Sequence, residues 1–402
     1  MRFSFGNTFK SLKERQYRTY FIALLLMMAA VNMQMVARSQ LTYDITGSPL
    51  YVGLVGAGFA PPILLLAIFG GSVSDQFNKK HILQISQLGM IILSAIIAIS
   101  IFLDVLTVFH LLLAAFLQGF LWAFLVPARQ SLIPELVEKD LIVNAIALNG
   151  SGMALMTFLA PGLGGYLYAE LGPLAVYITI MSLFLISCLI NQSLPSVTPV
   201  NRKKQPRITQ MKEGIKYVFH DNALRLLILI ALVTTLLSMP VRTLMPVIMD
   251  EIFSRGADAV GLMLSTIGLG TVLGSLFFAG LPKGKRGTTL IATLSISGIS
   301  ILLLSLSQYF WLTIIIMILM GIGDAGRRSL NVALLMQKSK PEFRGRVNGI
   351  YTMNFGFIPL GAIPIASLAS FMGIANSLMI TSILLISISV IFFILRKPIK
   401  DL

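Results

Sequence analysis

Two stretches of this chain limit its fold more than any other feature. Thr288–Gly323 runs 36 residues without an Asp, Glu, Lys or Arg, and Val347–Leu395 runs 49. A helix needs about 20 apolar residues to cross a bilayer, so each stretch predicts a pair of membrane helices. Reversals are expected at Ser305–Gln308 and Phe371–Ser377, where Ser, Gln, Gly and Asn collect. Shorter uncharged runs cover Ile82–Leu103, Pro173–Leu194 and Leu226–Val241. Composition agrees: 56% of the 402 residues are hydrophobic and 12% are charged, against about a quarter charged in soluble domains. The runs do not alternate at period two, which excludes a transmembrane β-barrel, whereas helices satisfy their own backbone in lipid. The expectation is an all-α membrane protein of twelve transmembrane helices, near residues 20–42, 50–73, 82–103, 106–127, 144–168, 173–194, 222–249, 259–281, 288–307, 310–336, 347–371 and 374–395.

The net charge of +15 raises a nucleic-acid reading, and its distribution argues against it. With twelve spans, 26 of the 31 Lys and Arg fall on one side, including Lys79, Lys80, Arg129, the run Arg202–Lys204, and Arg396. The opposite loops carry Arg255 with Asp104, Glu170, Asp250, Glu251 and Asp258. This is the positive-inside pattern, predicting both termini in the cytoplasm of a bacterial cell membrane. The basic excess then reports topology and contact with anionic lipid. Five basic residues before the first full-length span read as a signal anchor. Cys188 is alone, so no intramolecular disulfide forms, and no metal-ligand spacing accompanies it or the three His residues. No cofactor is implied.

Pro195–Asp221 is the longest polar stretch, with three prolines and a basic cluster. It reads as a linker (195–221) between two six-helix bundles, 1–194 and 222–402. Weak self-similarity relates the halves: Tyr51-Val52-Gly53-Leu54 resembles Ala259-Val260-Gly261-Leu262, and Pro134-Glu135 resembles Pro341-Glu342. Parallel six-helix repeats related by an axis along the membrane normal mark one class of transporters, with the substrate site between the halves near the midplane.

The segment Gly71-Ser72-Val73-Ser74-Asp75-Gln76-Phe77-Asn78-Lys79-Lys80 sits between two apolar runs. Gly71 allows close helix approach. Asp75 can cap a facing helix and pair with Arg129. Gly, three residues, Asp and a basic pair resemble the loop signature of the major facilitator superfamily. That resemblance implies a gate built from Gly71, Asp75, Lys79, Lys80 and Arg129. Ala160-Pro161-Gly162-Leu163-Gly164-Gly165 resembles the span-5 motif of drug–proton antiporters, in which Pro161 permits a kink while Gly164 and Gly165 permit tight packing. Ala115 stands where many of those antiporters carry an Arg three residues before Gln118, so that proton-coupling role is not carried over. Val36–Pro49, Pro127–Val137 and Arg344-Gly345-Arg346-Val347 look like the exporter branch that holds the enterobactin exporter and the macrolide efflux proteins. The resemblance covers almost the whole chain and implies export, with protons as the driving partner.

Ionisable residues inside the spans are the substrate-site candidates, because an Arg at mid-membrane costs about 2.5 kcal/mol or more unless it pairs, snorkels or meets water. Asp324 precedes Arg327 and Arg328 by three and four residues on one helix face. It can neutralise one of them locally. Together with Arg242 they read either as an anion-attracting cavity or as an ion-pair network fixing span 10. Asp324 and Asp44 are the proton-carrying candidates. Arg38, placed near the outer end of span 1, and the polar Asn32, Gln34 and Gln118 complete the expected substrate set, with Asn331 and Asn354 as further polar candidates.

Three function classes compete. A secondary transporter of small molecules fits best, with an anionic siderophore-like metabolite favoured over a cationic or neutral drug. No Gly-x4-Gly-Lys-Ser/Thr loop is present, so ATP hydrolysis is not expected. A lipid-acting enzyme would need a nucleophile–base pair or metal ligands converging near one surface, and three scattered His residues do not provide them. A sensor or scaffold would carry a sizeable soluble domain. The expected protein is a monomer that binds substrate, protons and lipid, and no nucleic acid. If Asp75 works as a gate, Asp75→Asn lowers turnover in a transport assay and leaves substrate binding intact; equal loss of both would remove the pure gate role.

Overall fold

The computed structural model describes residues 9–196, 207–279, 285–396 and 399. For 67–72, 74, 75, 207–212, 279, 355 and 359 it describes the backbone alone. The described chain is helical. α1 (Arg15–Thr46), α2 (Pro49–Ala57), α3 (Ala60–Gln76), α4 (Lys79–Phe102), α5 (Val108–Leu132) and α6 (Ile142–Asn191) come first. α7 (Arg207–His220), α8 (Asn222–Leu237), α9 (Pro240–Thr243), α10 (Met245–Phe253) and α11 (Ala257–Ala279) follow. α12 (Arg286–Leu306), α13 (Phe310–Lys338), α14 (Arg344–Met353), α15 (Ile358–Met372) and α16 (Ile374–Ile394) complete it. Ten of the helical segments are long and apolar enough to cross a membrane.

The breaks follow local chemistry. Gly172, at φ 79° and ψ 173°, interrupts α6 and is followed by Pro173, so the 50 residues of α6 form two arms that meet near the expected 168–173 boundary. Gly373, at φ 80°, separates α15 from α16, inside the expected reversal. Three expected spans are not single helices. Span 50–73 divides at Gly58 and Phe59, with Pro61 in the first turn of α3. Span 222–249 is α8, α9 and α10, with Pro240 and Pro246 each opening a new helix. Span 347–371 breaks at the 3-10 turn Asn354–Phe357, ahead of Pro359. A proline lacks the N–H that would continue the preceding helix, and it fits the first turn of the next. The expected linker is also partly ordered: α7 occupies its second part, and 197–206 lie outside the described residues.

Helix faces are inverted relative to a soluble protein. On α4, Ile85, Leu88, Ile92, Ile96 and Ile99 are exposed while Ser86, Gln87 and Ser94 are buried. An apolar stripe outside and polar groups inside suit a lipid solvent. The buried apolar residues form two cores. One gathers Tyr17, Leu24, Met90, Leu125, Tyr177 and Phe184; the other gathers Leu227, Val247, Met263, Leu294, Met317 and Leu378.

Two seams join the cores: α6 against α11, and α2 against α15. In the first, Pro161 cannot donate to the Thr157 carbonyl one turn earlier, and Gly268 of α11 approaches that carbonyl so closely that an added Cβ would lie 2.6 Å from the oxygen. A Cβ on Gly261 would lie 2.5 Å from the Pro161 carbonyl, and one on Gly165 would lie 2.7 Å from Gly261 Cα. The Gly162 N–H donates to Ser265 Oγ at 2.8 Å. Gly164 faces the other way, against Met33 of α1. Gly172 alone departs from helical φ/ψ in α6, so the backbone stays helical through Pro161. Gly261→Val should therefore destabilise by about 1–3 kcal/mol or more through overpacking. Gly150→Ala, with no atom within 4 Å of its Cβ, should change stability by less than about 1 kcal/mol. Thermal melts of the purified variants compare the two.

Candidate functional site

The centre of α13 carries the charge. Asp324 is the midpoint of this 29-residue helix and is fully buried. Its Oδ2 accepts from Arg242 Nη2 at 2.9 Å. Arg327 Nη2 lies 4.0 Å from Oδ1, too far for a hydrogen bond. The sequence suggested that Asp324 neutralises an Arg on its own helix. Arg327 stands at ion-pair distance as that reading expects, and the hydrogen-bonded partner is Arg242, 82 residues earlier, which the proline breaks around α9 turn toward α13. Arg327 is buried and Arg328 is exposed, and both line the free space beside this cluster.

That space is a small cavity of about 20 Å³, lined among others by Thr235, Met239, Arg327, Arg328, Tyr351 and Asn354. Three arginines surround one carboxylate, leaving a local surplus of positive charge. Asp324 Oδ1, Arg242 Nε, Arg327 Nε and Asn354 Nδ2 are buried with no hydrogen-bond partner among the described groups. Buried polar atoms are normally satisfied, so the donor set Arg242, Arg327 and Asn354 suits an acceptor-rich anion. Tyr351, one turn before Asn354, was missed by the sequence reading; its only signal was that position on the helix.

A second polar chain lies in the other core. Arg38 Nη1 donates to Gln118 Oε1, and Gln118 Nε2 donates to Gln34 Oε1 at 2.6 Å. Arg38 lies about two turns from the end of α1, which continues past the expected span to Thr46. Asn32 stays outside this chain, donating to the Met28 carbonyl of its own helix at 2.7 Å. Asn331 donates to the Leu227 carbonyl at 2.9 Å and ties α13 to α8.

Two rims carry the remaining candidates. On the acidic rim, Asp44 accepts from Gln40 Nε2 at 2.7 Å and Tyr168 OH at 2.6 Å. Next to it, Tyr43 OH donates to Asp250 Oδ2 at 2.9 Å, linking α1 to α10 across the two cores. Glu251 accepts from the Ile374 N–H at 2.9 Å. On the basic rim, Lys79 pairs with Glu135. Lys80 Nζ donates to the Gln192 and Leu194 carbonyls, both at 2.7 Å, which stabilises the end of α6. Arg129 is buried, with its guanidinium 3.6 Å from Met28 Sδ and 3.9 Å from Met153 Sδ. Gly71 and Asp75 lie in the last turns of α3; the surroundings of their side chains lie outside the described residues.

Residues 6–401 match the family described as transmembrane secretion effectors. This chain belongs to the major facilitator superfamily. A staphyloferrin A transporter from Staphylococcus aureus is 22% identical over 355 residues, 87% of this chain and 89% of that protein. Macrolide efflux protein A from Streptococcus pyogenes is 23% identical over 358 residues, covering 86% and 87%. An enterobactin exporter from Shigella boydii is 26% identical over 342 residues, covering 82% and 77%. Among solved structures, the nucleoside transporter NupG superposes with a TM-score of 0.75 at 14% identity, over 95% of this chain and 99% of that one. Superfamily membership makes the chain a multi-pass small-molecule transporter rather than an enzyme.

Removing one partner of a buried pair strands the other charge. Asp324→Leu should therefore destabilise by about 3–5 kcal/mol, and Arg242→Met in the same chain should restore most of the loss. Melting temperatures of the single and double variants measure this coupling.

Proposed function

We propose that this superfamily member is a proton-driven exporter of anionic, siderophore-like small molecules, working by alternating access in a bacterial cell membrane. The observation that carries the substrate class is the cationic surplus at the middle of α13. Arg242 is held by Asp324, while Arg327 and Arg328 face a cavity whose buried donors lack acceptors. A carboxylate, phenolate or phosphate entering there gains charge-assisted hydrogen bonds. Competition for Arg242 would free Asp324 to take a proton, which gives the cycle a coupling step. Arg38 with Gln118 and Gln34 offers a second cationic contact from the other core.

In this reading the chain crosses the bilayer twelve times. The two arms of α6 count separately, and α14 with α15 makes one crossing. Residues 1–194 and 222–402 form two six-helix bundles around the two cores, joined by 195–221. Both termini lie in the cytoplasm because the basic rim faces inward. Tyr43–Asp250 and the glycine seam hold the acidic rim closed. Asp75 with Arg129 closes the basic rim in the alternate state. The chain works as a monomer.

A second reading is efflux of macrolide-like or other amphiphilic drugs, favoured by the comparable identity to macrolide efflux protein A. Ligand-dependent thermal stabilisation separates them, because a ligand that binds the folded state raises its melting temperature by mass action. The panel sets catecholate and citrate-type siderophores against macrolides and cationic dyes, with Arg327→Ala and Arg328→Ala beside the unaltered protein. Anions should stabilise the unaltered protein by several degrees, and each Arg variant should lose most of that shift. Stabilisation by macrolides or dyes that survives both substitutions would favour drug efflux. Uptake into inside-out vesicles under a proton gradient tests direction and coupling.

A further inference from the structure

The second core carries a slot on its outer surface, apart from the cavity at Arg327 and Arg328. It lies between the start of α12 and the end of α16, encloses about 290 Å³, and shares no lining residue with the cavity at Arg327 and Arg328. Thr288, Ile291, Ala292 and Ser295 form one wall; Ser389 and Phe393 stand on the other. Its floor is a hydroxyl pair, Ser295 Oγ and Ser389 Oγ at 2.7 Å, about 10 Å along α12 from Thr288 at 1.5 Å per residue. Val390, Phe393 and Ile394 are exposed around it, as lipid-facing residues are.

Both walls run up to a cation at the basic rim. On α12 the lining residues share one helix face, and the next position of that face toward the rim is Lys285, which is exposed. On α16 the face that holds Ser389 and Phe393 continues to Arg396. The Arg396 guanidinium stacks 3.5 Å above the Phe393 ring, and Nη1 donates to the Phe393 carbonyl at 2.5 Å, which holds it at the slot's mouth. In sequence, Lys283–Arg286 and Arg396–Asp401 hold six basic residues and one acid.

We infer that the slot is a binding site for an anionic phospholipid, with an acyl chain against Ile291, Ala292 and Phe393 and the phosphate between Lys285 and Arg396. An apolar slot with a basic mouth complements a single negative headgroup on a hydrocarbon tail. A free anion gains nothing from the slot, and a zwitterionic lipid sets its own cation against Lys285 and Arg396. Polybasic segments at a membrane surface attract anionic lipid in the same way. This site does not depend on the transported substrate.

Native mass spectrometry of the full-length protein in detergent tests the site, with phosphatidylglycerol and phosphatidylcholine of identical acyl chains as probes. Phosphatidylglycerol should bind at least fivefold more tightly than phosphatidylcholine. Lys285→Gln with Arg396→Gln should abolish that preference. Ala292→Phe, which fills the slot and keeps both cations, should weaken phosphatidylglycerol binding at least fivefold; the surface double variant carries the test if Ala292→Phe does not fold. Equal binding of the two lipids, a preference that survives the charge variant, or unchanged binding to a folded Ala292→Phe protein would each overturn the inference. Displacement of phosphatidylglycerol by millimolar inorganic phosphate would also overturn it, because the site would then be a bare anion site.

Discussion

Hydrocarbon offers no hydrogen bonds, so each backbone break and each charge inside the bilayer has to be answered by the protein itself. The seam between α6 and α11 shows the answer for a backbone break. Pro161 leaves the Thr157 carbonyl without its helical donor, and Gly268 brings α11 near enough for its backbone to lie against that oxygen. The stripped surfaces of Gly165 and Gly261 allow the same approach one turn along. Small residues here do more than save space, because they bring backbone polar surface of two helices into contact where water is absent.

The same constraint shapes the charges. Asp324 at the middle of α13 would be untenable alone, and Arg242 reaches it only because prolines break the preceding helix into short pieces. One pair is thereby settled. Arg327, 4.0 Å from the other carboxylate oxygen, and Arg328 leave the cluster with a surplus of positive charge beside unpaired donors. A buried network that is only partly satisfied is costly, and in the proposed function an incoming anion relieves part of that cost.

The breaks in the helices also shape the surroundings of the cavity. α14 meets α15 at the 3-10 turn Asn354–Phe357, and Asn354 and Tyr351 both line the cavity. The far end of α14 is tied to α7: Tyr217 stacks on Phe343 with centroids 4.2 Å apart, and Arg346 pairs with Glu213 at 2.8 Å. A segment the sequence reads as linker therefore braces the helix that floors the site. At the acidic rim the Tyr43–Asp250 bond joins the cores directly, whereas Lys79 and Lys80 on the basic rim hold partners within their own core.

The sequence alone determined the class of molecule. Uncharged runs of 36 and 49 residues admit only membrane helices, and Gly172 and Gly373 sit within or beside the stretches where reversals were expected. It also singled out Arg242, Asp324, Arg327 and Arg328, because a charge in an apolar run is conspicuous wherever it ends up. Sequence periodicity reports only neighbours within a turn or so, so it offered Asp324 the arginines of its own helix, of which Arg327 lies at ion-pair distance, missed Arg242, and read unbroken spans through Pro240 and Pro359. The choice of Arg242 as partner, the Arg38–Gln118–Gln34 chain and the contact of Gly261 with Pro161 join residues about 80 to 100 positions apart. Only the packing of helices against one another decides such contacts, because their energy depends on which faces meet and not on what precedes them in the chain.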